Sequence, residues 1–516
     1  MERVRSSYLR RGFKIVGSND SPVVVVKERP PANMPVNPRL AAVPQRTPAR
    51  PAASQTATNS SIALRKLRSV YRTIEDKALY MSPVLDLYFG GGKEKNIDDA
   101  GNQTMIIGGE AYNSVLLYTI LTNVVDNGSM ILYGPSGSGK TSSSRYVASA
   151  IRNLLVDYLK YSTIFGHPEQ TEEKMIAMYD PIKMVSGERE LIIREFLKSP
   201  IKLIDEINRL RPESTSLLLE LLNSGSVTYQ DQLIRATPGP VFATANPSDR
   251  ANHPLVTPLK DRFNIAVLAD RMNPFNFKAY NEQRARGKGS IEDVISLDDP
   301  ITPQDLMQMR QDIYSVDFPS ELMSRVAHFF AELTGCDMAG YVVERKTKGN
   351  LTDKKPPAIC QDCDHYSQDN SICSKTEEDV SPRAYETVYT YAKAIAYWRG
   401  NQQVGEDDVR AVVPFAVWFR VATTRAADEI DPRFKTDKIS LFDVLYQMSG
   451  KSYEEIVNAM PEYERITSMV FSSKSELAQS LDQDEIEALI ETAGKLDTPA
   501  KYPLLTTLKK LYHDAK

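Results

Sequence analysis

The sequence predicts an α/β protein in which a parallel-sheet core is followed by an all-helical part. From residue 101 onward, short apolar runs alternate with helical stretches, as strands of a parallel sheet alternate with the helices that cover it. The runs are "MILY" (130–133), "IKLI" (201–204) and "VFATA" (241–245). A glycine-rich stretch, "GPSGSGKT" (134–141), directly follows the first of them and directly precedes a helical period. After about residue 300 strand-like runs stop and amphipathic helices take over, over 318–335, 381–400 and 405–426.

The totals bound the rest. With 516 residues, 41% hydrophobic and 25% charged, the chain can bury several cores, and two to four domains are expected. Residues 1–60 hold ten Arg/Lys against three acids although the whole chain carries a formal charge of −4. Residues 22–51 contain eight prolines and no helical or strand period. Residues 1–60 are therefore expected to form a disordered basic arm. Such an arm can touch nucleic acid, but a plain tether is the default reading. No apolar run reaches the roughly eighteen residues needed to cross a bilayer. The N-terminus lacks the apolar stretch of a secretory signal, so a cytoplasmic location with reduced thiols is expected. The expected organisation is a helical lead-in over 61–100, an α/β core over 101–275, a linker and helical lid over 276–425 that contains an insert at 336–377, and a helical extension over 426–516.

The glycine-rich stretch reads as a phosphate-binding loop. Gly134, Pro135, Ser136, Gly137, Ser138 and Gly139 let backbone N–H groups curl around phosphate at a helix N-terminus. Lys140 is expected to reach the β/γ-phosphates of ATP, and the hydroxyl of Thr141 to hold magnesium. In "SPIKLIDEINRL" a strand ends in Asp205, a second magnesium ligand. Glu206 follows, an acid suited to orienting and polarising water. That pair favours hydrolysis over transfer to a bound hydroxyl. "VFATANP" ends a further strand with Asn246, a neutral amide able to position the water. In "PLVTPLKDRF", Arg262 is a surface ion-pair partner in the bland account and a cation offered to a neighbouring subunit's ATP in the sharper one.

The succession "GPSGSGKT", "LIDEINR", "ATANP", "LKDRF", "SPRA" and "VGEDDVRAVVPFAVWFRV" resembles the MoxR-like branch of the AAA+ ATPases over roughly residues 101–425. By that resemblance the catalytic set is Glu206, Asn246 as sensor 1, Arg262 as arginine finger and Arg383 as sensor 2 in the lid. Arg209 is a further interface cation. The resemblance implies a magnesium-dependent, chaperone-like ATPase that forms rings, commonly hexamers. It also implies remodelling of a protein complex or assistance to metal insertion, with a von Willebrand factor A-domain protein as partner. Two alternatives accompany it, a motor stimulated by nucleic acid and a scaffold locked by nucleotide without significant turnover.

All four cysteines, Cys336, Cys360, Cys363 and Cys373, fall within thirty-eight residues of the lid. Their C-x23-C-x2-C-x9-C spacing suits a closed tetrahedral thiolate shell, expected to hold zinc structurally. An iron–sulfur cluster and unmetallated thiols stay open, and His365 is a rival ligand. The polar loop has little core of its own, so a metal would supply its folding energy. The five histidines form no arrangement with a nucleophilic serine and an acid.

Overall fold

In the computed structural model the described residues are 13–16, 24–27, 53–76, 82–83, 105–247, 255–270, 299–335, 372–376, 380–460 and, beyond these, 463–464, 467, 483–496, 498 and 500–514. The chain divides into two units, Met1–Ala53 and Ser54–Lys516. In the first, β1 (Phe13–Val16) pairs antiparallel with β2 (Val24–Lys27). This corrects the expectation of an arm without regular structure through residue 60. The β-branched run in "SPVVVVK" favours a strand despite the flanking prolines.

Next comes α1 (Ala53–Asp76), which starts before the expected lead-in at 61. Its Ala63, Leu67, Val70, Tyr71 and Ile74 are buried at helical spacing. A two-residue strand β3 (Ser82–Pro83) and a hairpin of β4 (Met105–Ile107) and β5 (Glu110–Tyr112) come next. All of α2 (Ser114–Val124) is buried, and two of its polar side chains donate to carbonyls of the helix itself. Thr119 donates to the Val115 carbonyl at 2.7 Å and Asn123 to the Thr119 carbonyl at 2.8 Å.

The sheet is built from β6 (Ser129–Tyr133), β7 (Thr163–Phe165), β10 (Lys202–Asp205), β13 (Val241–Ala245) and β14 (Ile265–Asp270), all parallel. Two antiparallel hairpins are inserted, β8 (Ala177–Tyr179) with β9 (Leu191–Ile193), and β11 (Ser226–Tyr229) with β12 (Gln232–Arg235). The strand order is β3, β14, β6, β13, β10, β7, with β3 antiparallel at one edge. From β6 the chain leaves toward β7 at the far edge and finally returns to β14 on the other side. The C-terminal end of β6 is therefore the crevice where ligands bind in open α/β sheets. Helix α3 (Lys140–Arg152) follows β6, and α4 (Pro212–Ser224) follows β10. The three quoted apolar runs lie in β6, β10 and β13, with "IKLI" entering its strand one residue later than expected.

Among the described residues only helices follow β14: α5 (Pro303–Ser315), α6 (Ser320–Thr334), α7 (Pro382–Arg399), α8 (Glu406–Val417), α9 (Lys438–Ala459), α10 (Gln483–Gly494) and α11 (Lys501–Asp514), besides shorter turns. The helical period expected over 405–426 stops at Val417, and just beyond it the buried Arg420 donates to the carbonyls of Phe263, Asn264 and Ala416. Core and lid share one apolar cluster that runs from α1 and α2 through the sheet to α7, α8 and α9. Hydrogen bonds stitch the two together, among them Trp418 Nε1 to the Ala266 carbonyl at 2.8 Å and Thr122 Oγ1 with Tyr391 OH at 2.9 Å. The extension has its own cluster around Ile486, Leu489, Leu504 and Leu508. It is tied to α6 by a 3.0 Å bond between His328 Nδ1 and Tyr463 OH.

Lys202, at the start of β10, is 2% exposed and donates to the carbonyls of Ser199 and Thr237. Burial pushes its pKa down from 10.5 to about 8. Between those values the unfolded chain binds more protons than the folded one, so this residue makes stability rise with pH, by on the order of 3 kcal/mol in all. Urea unfolding at pH 7.5 and 9.5 is expected to show a smaller pH increment for Lys202→Met than for the parent. An identical increment would mean that Lys202 stays charged in the fold.

Candidate functional site

The glycine-rich loop crosses the C-terminal end of β6. Gly134 N–H donates to the Ala245 carbonyl at 3.1 Å, and a Cβ on Gly134 would stand 2.0 Å from the Ala269 carbonyl oxygen, so only glycine fits between the two neighbouring strands. Gly139, the residue before α3, has a φ of 78°, which turns the chain into the helix at little cost. Lys140 is buried, with Nζ 2.7 Å from the carbonyls of both Gly134 and Pro135. Burial lowers its pKa, and the carboxylates of Asp205 and Glu206 oppose that shift.

Thr141 and Asp205 meet here, the hydroxyl donating to Oδ1 at 2.5 Å. Asp205 Oδ1 also accepts from Thr244 Oγ1 at 2.6 Å, and the same Thr244 oxygen accepts from Glu206 N–H at 2.9 Å. Thr244, 3% exposed, thus sets both acids of the pair from the adjacent strand. Sequence reasoning missed it, although it sits two residues before Asn246 in "ATANP". Glu206 itself lies in the left-handed region with φ 54° and ψ 51°. That conformation disfavours an ordinary side chain and is held by the tertiary surroundings. It turns the chain sharply after Asp205, so the two acids leave the strand end in different directions. Arg209 Nη1 pairs with Glu206 Oε2 at 2.7 Å. Asn208 Nδ2 donates to the Asn246 carbonyl at 3.1 Å, linking the turn after β10 to the end of β13. Gly166 N–H donates to the Asp205 carbonyl at 2.6 Å from the end of β7.

Two predicted residues stand elsewhere. The Arg262 carbonyl accepts from Ser129 Oγ at 3.2 Å, at the first residue of β6, whereas the phosphate-binding loop begins after its last. The two ends of that five-residue strand are about 13 Å apart. Arg383, at the start of α7, is near Arg262 and away from its own loop. Its Nη1 donates to Asp261 Oδ2 at 3.0 Å and its Nη2 to Asn223 Oδ1 at 3.2 Å. Arg262 and Arg383 line one polar cleft of about 650 Å³ at the N-terminal edge of the sheet, together with Lys202, Arg235, Asp261 and Asn127.

Of the proposed metal ligands, Cys373 is buried in a short turn over Cys373–Lys375, while Cys336, Cys360 and Cys363, with His365, lie outside the described residues. No group of three or more His, Cys, Asp and Glu able to hold a metal occurs among the described residues. Among these residues no helix is long and apolar enough to cross a membrane.

A family model described as an AAA domain of the dynein-related subfamily matches residues 129–263, from the start of β6 to just before β14. A second, described as an AAA lid domain, matches residues 370–439. A crystal structure presented as that of a candidate ATPase from Cytophaga hutchinsonii is similar in fold, with a TM-score of 0.50 at 17% identity over 75% of this chain and 96% of that one. A search of curated proteins found no match.

Proposed function

For a chain that carries an AAA ATPase domain with its lid, and is therefore an AAA+ ATPase, we propose that the catalytic site is completed between subunits of a ring of MoxR-like type. ATP sits on the loop Gly134–Thr141, with Lys140 exchanging its carbonyl partners for β/γ-phosphate oxygens. Thr141 and Asp205 hold magnesium; their converging hydroxyl and carboxylate oxygens are the hard donors that ion prefers. Magnesium, when bound, neutralises phosphate charge. Glu206 orients and polarises the water, and Asn246 steadies it. The observation that carries the reading is the pairing of Arg262 and Arg383 in a cleft at the far end of β6 from their own loop. A long side chain cannot bridge that strand, so these cations serve a nucleotide held by the next chain. A site shared this way needs a head-to-tail interface, and such interfaces close into rings when the rotation fits. Six subunits is the expected closure.

The motion is directed at a protein complex or at metal insertion, with a von Willebrand factor A-domain protein as partner. Cys336, Cys360, Cys363 and Cys373 hold a structural zinc in the lid insert; metal analysis of the purified chain with about one zinc per subunit supports this, and none overturns it.

Subunit mixing tests the shared site. Lys140→Ala chains lack their own nucleotide site and Arg262→Ala chains lack the cation they offer. Each is expected to be inactive alone and partly active when mixed, since mixed interfaces contain one intact site. No recovery on mixing would overturn the reading.

A further inference from the structure

Asp261, the residue before Arg262, faces three groups from the lid. Ser381 Oγ donates to its Oδ1, Arg383 Nη1 donates to Oδ2 at 3.0 Å, and Arg420 Nε stands 3.7 Å from Oδ1. Arg420 is 4% exposed and anchored on three carbonyls, so it braces the carboxylate from beneath without swinging away. Ser381 also caps α7, accepting from Arg383 N–H at 3.2 Å. The Arg383 guanidinium is in turn held on two nitrogens, by Asp261 and by Asn223. A planar fork held at two points has a fixed direction. Arg262 and Arg383 line one cleft, and the Asp261 carboxylate fixes the second of these two cations. A surface ion pair needs none of this bracing, and Asp261 is only 16% exposed.

We propose that Asp261 is a positioning residue for ATP turnover. It holds Arg383 toward the cleft that Arg262 also lines, so that both guanidiniums meet the neighbouring subunit's γ-phosphate, and Ser381 and Arg420 fix the carboxylate that does so. The proposal rests on the site being completed in trans. Displacing a reacting or stabilising group by about 1 Å can cost about a hundredfold in rate, so Asp261 acts through geometry without touching substrate.

The test is steady-state ATP hydrolysis by full-length chains at saturating protein, comparing Asp261→Asn, Arg383→Ala and the double variant. Asp261→Asn is expected to lower kcat about tenfold to a hundredfold while KM for ATP stays within about twofold. The double variant is expected to be no slower than Arg383→Ala alone, because a residue acting through another adds nothing once that one is gone. An unchanged kcat for Asp261→Asn, or losses that multiply in the double variant, would overturn the proposal. If Asp261→Asn loses cooperative thermal unfolding, Ser381→Ala carries the test, since it removes one tie and no charge. A matching loss of kcat then supports the role, and an unchanged kcat overturns it. Recovery in the mixing experiment beside a normal Asp261→Asn leaves the shared site standing and the positioning role refuted. No recovery on mixing overturns the shared site itself.

Discussion

Glu206→Gln is expected to lower ATP turnover by about 10²–10⁴-fold, the range that a positioned general base contributes, while ATP binding persists. The amide keeps the size of the side chain and tolerates the same backbone, so Thr244 still accepts from the residue 206 N–H and Asp205 is undisturbed. What disappears is the anion proposed to polarise water. Arg209 also loses its charged partner, but both members of that pair are about one-third exposed, and such pairs contribute little to stability. Single-turnover hydrolysis and fluorescent-nucleotide binding, measured together, check this. Turnover within a few-fold of the parent would assign the water to another group.

Arg262→Ala is expected to cost about 10³-fold or more in kcat, the effect of removing an arginine that stabilises phosphoryl-transfer charge. Wild-type specific activity should rise with protein concentration as subunits meet, and the variant should stay flat and low. The fold should survive. The Arg262 backbone carbonyl, which accepts from Ser129, is retained, and among the described residues the side chain gives up its bond to the Pro258 carbonyl at 2.6 Å. Activity independent of concentration, with Arg262 dispensable, would describe a self-contained nucleotide switch.

The parts of the site legible in the sequence are those whose chemistry needs neighbouring residues. A phosphate cradle is built from consecutive backbone N–H groups at one helix start, so "GPSGSGKT" declares itself, and a strand ending in two acids does the same in "LIDEINR". The run "VFATA" coincides with β13 because a strand buried in a parallel sheet reads as continuously apolar. The hairpins escaped notice. Their strands are three or four residues long, too short for a period to register. The strand pair within the first sixty residues was hidden by a composition dominated by prolines and charge.

By itself, then, the sequence determined an α/β core, a helical lid after it, and the groups expected to face ATP, since each is a local property of a strand end, a turn or a helix start. Tertiary structure decided how those groups are held and which of them meet. Thr244 reaches Asp205 from a strand 39 residues away, and Arg383 reaches Asp261 across 122. No local pattern encodes a contact at that separation, because it depends on the order in which the strands lie side by side. That order sets the phosphate-binding loop at one end of β6 and the arginine pair at the other, a separation that only the folded sheet creates.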